Sequence, residues 1–372
     1  MAQRTGDLHP SSIRRMMGIS KRLIMEGKTV YELNIGQPDI PCIPIFSEAI
    51  SSKVREGHLN YSPYIGETYL RETFSRYLNR YFDRQGTSHL VTDTNNVLVT
   101  CGASHALAIT FMALCDPGDE ILCVEPFFEP YKGLLAVSGG ILKPIPTSAE
   151  SGFALPSSEE IEKLITSKTK GILYNSPNNP SGKIFTKEEV TKLSKIAIKH
   201  NIFIIADEVY REMVLGNQEA FSLLQVELEK GEMEKFKHRI IVIDSASKAF
   251  SVCGARVGFI VARPEVIEKL SLLAFHSVAS ISDLMQFGVS AAYDHVFTDR
   301  TYFESLRKTY RERLDSAIIA VKDFLSWAVV PKPNGAFYLM IQFADVEDAS
   351  DFCLFILEKF NLGNETVAVT PA

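Results

Sequence analysis

The 372-residue sequence has no surplus of positive charge: 39 Lys and Arg stand against 45 Asp and Glu, a net charge of −6. That balance argues against a nucleic-acid or anionic-membrane surface as its main partner. Long apolar runs are also missing. The longest stretch free of Asp, Glu, Lys and Arg is Thr94–Cys115, and Asn, Thr, Ser, Gly and His interrupt it. It reads as strand, turn and helix rather than a membrane span. The opening MAQRTGDLHPSSIRRMM has no apolar core of signal-peptide length. Six cysteines (Cys42, Cys101, Cys115, Cys123, Cys253, Cys353) are scattered with no CxxC or metal-ligand spacing. Buried free thiols in a reducing cytoplasm are therefore expected, and no metal site. No repeat, low-complexity tract or Pro/Gly-rich linker divides the chain.

Hydrophobic residues make up 46% and charged residues 23%, enough to bury a large core, and the length suggests two domains. Seven β-rich runs occupy the middle: VLVTC (97–101), EILCVEP (120–126), ILKPIP (141–146), GILYNSP (171–177), IFIIADEVY (202–210), IIVIDSAS (240–247) and VGFIVAR (257–263). Helical patterns separate most of them, as in SHALAITFMALC, SSEEIEKLI and TKEEVTKLSKIAIKH. Val/Ile strands alternating with helices predict an α/β fold: a mostly parallel seven-stranded sheet with helices on both faces. Only a lysine loop divides the last two runs, so one of them is expected to pair antiparallel. Towards the C-terminus the pattern changes. Thr301–Phe324 reads as a long amphipathic helix, VVPKPNGAFYLMIQF as two strand-like runs around a Pro-Asn-Gly turn, and DASDFCLFILEKF as a short helix. This predicts a smaller α+β domain on which the N-terminal helix SSIRRMMGISKRLIMEG packs. The expected division is 46–285 for the large domain and 1–45 with 286–372 for the small one.

Several short stretches carry chemistry. Gly27-Lys28-Thr29 is a fragment of a phosphate loop, but Arg22 stands where the first glycine should be, and it reads as a helix C-cap. In CGASHALAI, Gly102-Ala103-Ser104 closes a strand, expected to be parallel, and opens a helix whose N-terminal amides suit a phosphate. An ordinary N-capped turn would look the same. Asp207 and Glu208 end the most apolar strand, where a carboxylate faces the crevice used by α/β proteins and, if buried, needs a cationic partner. Tyr210 lies near the same strand end. Asn179, in YNSPNNPSG, is either part of a turn or an amide fixed into that crevice. Phe128, in EPFFEPY, fills core or covers a flat heterocycle. Lys248 follows the sixth run. Ser245 precedes it by three residues and Arg256 follows by eight, a set suited to a phosphate dianion.

In order along the chain, NIGQPD (34–39), YSPYIGETYLRE (61–72), CGAS, EPFFEPY, NNPSG (178–182), ADEVY, SASKAFSVCGARVG (245–258) and PNGAFYL (333–339) resemble the aspartate aminotransferase family of fold-type I enzymes. The likeness covers nearly the whole chain and is nearest to the bacterial-type branch carrying SxSKxxSxCGARxG. The resemblance implies an enzyme that depends on pyridoxal 5′-phosphate, with Lys248 as the Schiff-base lysine and proton carrier. It implies that Asp207 pairs with the pyridine nitrogen, that Tyr210 and Asn179 bond the ring's phenolic oxygen, and that Phe128 stacks on the ring. Ala103, Ser104, Ser245, Ser247 and Arg256 would hold the phosphate. Tyr61 would reach the phosphate of a neighbouring subunit, implying a homodimer with shared sites. Gly36, and Asn179 again, would face the substrate.

One departure stands out. Relatives continue past a VAVTPA-like strand to an arginine that clamps the substrate carboxylate, whereas this sequence ends at Ala372. Either the chain continues to that arginine or the protein lacks the clamp, which would weaken amino-acid binding sharply; because every other site position is intact, a continuation is the expectation.

The activity implied is amino transfer from an amino acid to a 2-oxo acid by a ping-pong route. A carbon–sulfur β-lyase would use the same lysine, aspartate and phosphate cup, and substrate orientation separates the two. A regulator on this fold would carry a DNA-binding domain in front, and the roughly 30 residues before NIGQPD are too few for one. The stretch FHSVASISDLMQ offers His276 and Ser277 but no arginine, which disfavours strict dicarboxylate specificity.

Overall fold

Alternation of side chains along seven strands decides which helices cover which face. The computed structural model describes Gly6 and residues 11–83, 93–216 and 220–371. Its strands are β1 (Thr29–Glu32), β2 (Val97–Thr100), β3 (Glu120–Val124), β4 (Ile141–Ile145), β5 (Thr169–Asn175), β6 (Phe203–Asp207), β7 (Ile240–Ser245), β8 (Gly258–Val261) and β9 (Glu365–Ala368). Seven of them form one sheet in the order β2-β8-β7-β6-β5-β3-β4. Val97, Val99, Leu122, Ile172, Ile204, Val242 and Phe259 enter one core, and Leu98, Ile121, Leu173, Ile205, Ile241 and Ile260 the other. Each such side chain fully removed from water contributes about 1.5–3 kcal/mol. Helices Thr68–Asp83, Lys187–Lys199 and Asp283–Thr298 pack on the first face, and Gly102–Leu114, Pro130–Ser138 and Pro264–Val278 on the second. Lys187–Lys199 starts where the sequence implies, because Thr186 and Glu189 cap each other's backbone amides at 3.0 and 3.2 Å.

All neighbours in the sheet run parallel except the two pairs made by β8, with β7 and with β2. The seventh run is thus the antiparallel one. The strand before CGAS is corrected as well: β2 is an edge strand paired only with antiparallel β8. Two reversals cancel, so β2 points the same way as β7. The C-terminal ends of β2, β3, β5, β6 and β7 therefore share one rim with the start of β8.

A second, two-stranded sheet pairs β1 with β9 in parallel, Thr29 opposite Glu365. Helix Ser12–Met25 lays Met16 and Leu23 against Cys353, Leu357 and Ala368 beside it. That helix closes on Gly27, at φ 88, as Lys28 N donates to Leu23 O at 3.0 Å, so GKT is a helix C-cap. Helix Thr301–Phe324 has the bounds its periodicity predicts and buries Phe303, Leu306, Tyr310, Leu314 and Ile318. The expected strand pair in 329–343 does not form; only an isolated bridge joins Val329 to Gln342. Its turn is drawn instead onto the large sheet's loops: Asn334 N and Gly335 N donate to Gly182 O, and Leu215 N and Ala336 N bond to Asn334 O and Met213 O. Backbone groups spent there are lost to a hairpin ladder.

The helix Asp283–Thr298 crosses the expected 285/286 boundary and buries Val289, Ala292, Tyr293 and Val296 in the main core. All six cysteines are free thiols, with Cys115, Cys123 and Cys353 buried. Among the described residues no helix is long and apolar enough to cross a membrane.

Candidate active site

The shared rim gathers most of the residues singled out from the sequence. Asp207 is the last residue of β6 and is 4% exposed. Its Oδ2 accepts from the Tyr131 hydroxyl at 2.5 Å, and its Oδ1 from Val209 N at 3.3 Å. Asn175, at the end of neighbouring β5, donates Nδ2 to the Asp207 carbonyl at 2.8 Å and accepts Asn179 N at 2.6 Å. Burial pushes the Asp207 carboxyl up to about 6, against the pull of Tyr131 and the Val209 amide. The cationic partner expected for it is a phenol instead. Among the described residues Asp207 makes no ion pair, so its charged form awaits a cation.

Lys248 sits in the short turn Ala246–Ala249 after β7. Its Nζ donates to Gly36 O at 2.5 Å, lies 3.8 Å from Cys253 Sγ, and faces the rings of Tyr210 and Phe337 at 5.9 and 5.6 Å. Burial lowers its pKa; Cys253 and Asp207 oppose this, while Arg256 adds to it. Among the described residues no carboxylate pairs with it. A part-buried, destabilised ammonium is an amine easily made nucleophilic.

Arg256 enters β8 from a left-handed conformation, φ 53, with its side chain turned back over the start of helix Gly102–Leu114. Nη1 and Nη2 donate to Cys253 O at 3.0 Å and Cys101 O at 3.4 Å. Gly102 is needed here, since at φ 73 a Cβ would stand 2.4 Å from Arg256 Nη2. Among the described residues no carboxylate neutralises this exposed guanidinium. A free cation beside a helix N-terminus fits a phosphate. Ala103 and Ser104 lie in that first helical turn, with Ser104 exposed. Ser245 is spent on its own loop: its Oγ accepts from Ser247 N at 3.1 Å and lies 2.8 Å from Ser247 Oγ and 3.0 Å from Val257 O. It braces the turn that carries Lys248.

Tyr210 is buried, its hydroxyl 2.6 Å from that of Tyr338 and bonded also to the Asn179 side chain. Phe128 stands in the loop four residues past β3, edge-on to Tyr131 at 5.5 Å. Gly36 meets both Lys248 and Tyr338; a Cβ there would be 2.4 Å from the Tyr338 hydroxyl. Tyr61 does not join the group: it is 93% exposed. His276 and Ser277 end helix Pro264–Val278, where Ser277 Oγ bonds His105 Nε2 at 2.8 Å.

Sequence reasoning passed over Tyr131, Asn175 and Tyr338, although each lies inside or beside a quoted motif. A buried tyrosine needs a partner for its hydroxyl, and that rule pointed at Tyr131 one helical turn after Phe128.

Fold and rim together define an α/β aminotransferase of fold type I. The family described as aminotransferase class I and II matches residues 28–371, and the chain belongs to it. It is 31% identical over 372 residues to the aspartate aminotransferase of Thermotoga maritima, covering 100% of this chain and 90% of that protein. It is 33% identical over 367 residues to the putative aminotransferase YugH of Bacillus subtilis, covering 98% and 87%. Aspartate aminotransferase from Thermus thermophilus with maleate superposes with a TM-score of 0.88 at 27% identity, over 100% of this chain and 91% of that one.

Proposed function

We propose that this aminotransferase holds pyridoxal 5′-phosphate on the rim and moves an amino group between an amino acid and a 2-oxo acid through Lys248. The observation that carries the reading is the Lys248 amine, unpaired with any described carboxylate and depressed by burial, between buried Asp207 and exposed Arg256. When bound, the cofactor supplies a carbonyl that condenses with amines and a ring that takes up the electron pair left at the substrate Cα.

The chain's own groups do the rest. Arg256 and the amides of Ala103 and Ser104 bind the phosphate, Ser247 adds a hydroxyl, and Ser245 braces their loop. Asp207 keeps a proton on the ring nitrogen by offering it a buried carboxylate. Asn179 and Tyr210 hydrogen-bond the ring oxygen, and Phe128 covers a ring face. Lys248 Nζ would hold the cofactor through its carbonyl carbon, water leaving as that link forms, and, when the substrate amine takes its place, would carry the proton at the substrate Cα. Gly36 offers backbone to the substrate carboxylate, and Asn179 faces it. The exposure of Tyr61 supports a homodimer in which it serves the neighbouring subunit. We also propose the two-domain division, with the large unit extended through Thr298. The relatives' names bring aspartate forward as the first amino donor to try.

Borohydride treatment of protein loaded with pyridoxal phosphate tests this reading. The mass of the reduced cofactor is expected on the peptide containing Lys248; fixation on another lysine overturns it.

A further inference from the structure

The Tyr338 hydroxyl lies 2.6 Å from that of Tyr210, the rings meeting edge to face at 5.6 Å and 85°. The same oxygen seats the backbone of Gly36, which has no room for a Cβ against it. Tyr338 is held in register with Tyr210 by stitches just before it. Ala336 N bonds Met213 O at 2.9 Å, Leu215 N bonds Asn334 O at 2.7 Å, and Val214 bridges Gly335. Two residues of one loop and one turn are thus fixed together at their hydroxyls.

We propose that Tyr338 is a positioning residue for amino transfer, its hydroxyl holding that of Tyr210 so that the Tyr210 proton faces the ring oxygen of the cofactor. This rests on the reading of Tyr210 given above. Each phenol has one proton to donate, so only one of the pair donates to the other. Either can do so alone. Once an electron-rich oxygen lies opposite Tyr210, its proton is drawn outward, and Tyr338 then donates to the Tyr210 oxygen. Each hydrogen bond in such a chain strengthens the next. Tyr338 thereby makes Tyr210 a better donor and stabilises the deprotonated form of the loaded site. The titratable groups acting on the pair are Lys248, Asp207, Cys253 and Tyr310, with Asn179 as a neutral partner. All remain in Tyr338→Phe, which also keeps the ring.

The test is an absorbance titration against pH of wild-type protein, Tyr338→Phe, Tyr210→Phe and the double variant, each loaded with pyridoxal phosphate. Tyr338→Phe is expected to move the midpoint up by about 0.5–1 pH unit, roughly a 3- to 10-fold loss of acidity. Its kcat should fall more than its KM for the amino donor changes. In the Tyr210→Phe background, removing the Tyr338 hydroxyl should leave the midpoint where it was. A wild-type midpoint in Tyr338→Phe, or an equal shift in both backgrounds, overturns the proposal while leaving cofactor fixation at Lys248 intact. Failure of the wild-type protein to take up the cofactor overturns the underlying reading as well.

Discussion

Tyr131 donates its hydroxyl to Asp207 Oδ2 over 2.5 Å, both residues being buried. The bond joins the helix after β3 to the end of β6, two places away in the sheet. A neutral phenol orients the carboxylate without balancing its charge, so the cost of burying that charge is left for a bound cation to offset.

That cost has a pH signature. The folded-state pKa of Asp207, about 6, lies above the ordinary value of 3.8, so its favourable contribution is complete below about pH 4. It is lost as pH rises through 6, amounting to something on the order of 3 kcal/mol at neutral pH. Asp244, pushed up to about 7 by burial, has the same sign and remains in both proteins compared. Without cofactor, Asp207→Asn should gain melting temperature relative to wild type as pH goes from 4 to 7. A difference that stays flat contradicts the assignment. Loaded with cofactor, the same variant should turn over about 100-fold more slowly or worse, through loss of a charge that matters most in the transition state.

The parts of this molecule legible in its sequence are those decided by local repetition. Thr301–Phe324 has apolar residues every three or four positions and no Gly or Pro, and its bounds were readable to the residue. The Val/Ile runs of β2 to β8 were similarly plain, and Pro144 fits a strand that turns out to be an edge. Pairing between distant segments leaves no local mark. β1 meets β9 over 330 residues away, and the 329–343 region loses its hairpin because Asn334 and Gly335 bond to Gly182. At the site, Lys248 and Asp207 were visible as unusual residue types at strand ends. Tyr131 and Tyr338 carry no such mark, because what distinguishes them is the partner that each hydroxyl finds in space.

Arg256 should govern cofactor affinity chiefly through the phosphate group. Asn tolerates its positive φ, so Arg256→Asn removes the guanidinium with little backbone cost. Loss of charge-assisted hydrogen bonds worth about 1.5–3 kcal/mol predicts roughly 10- to 150-fold weaker binding of pyridoxal phosphate. Binding of pyridoxal, which has no phosphate, should change little. Fluorescence titration of both ligands decides this, and an equal loss for both would mean Arg256 supports the fold instead.

Tyr61, 93% exposed in a single chain, makes sense at the site only across a subunit boundary. Mixing Lys248→Ala with Tyr61→Phe subunits should form heterodimers that have one site free of both changes. Activity above either parent is expected after subunit exchange, which can be followed by mass spectrometry of the intact dimer. Exchange without recovered activity would remove Tyr61 from the shared site.

Lys248 offers the strongest test, because its structural and chemical contributions pull in opposite directions. Burial lowers the pKa of its amine, so the folded chain disfavours the ammonium relative to the unfolded chain. A depressed pKa contributes stability above the unfolded value and loses it as pH falls, so at neutral pH the lysine is a burden on the empty protein. Lys248→Ala without cofactor should therefore melt no lower than wild type. Its chemistry should fail all the same. No other described amine lies at Gly36 O, so removal of the substrate α-proton should fall by about 10²–10⁴-fold, the usual worth of a positioned base. Lys248→Arg should fail too, because a guanidinium stays protonated at any working pH. Deuterium exchange at the substrate Cα, followed by NMR in heavy water, reads this step without requiring turnover. Exchange at the wild-type rate in Lys248→Ala would assign the proton to another group and remove Lys248 from the centre of the mechanism.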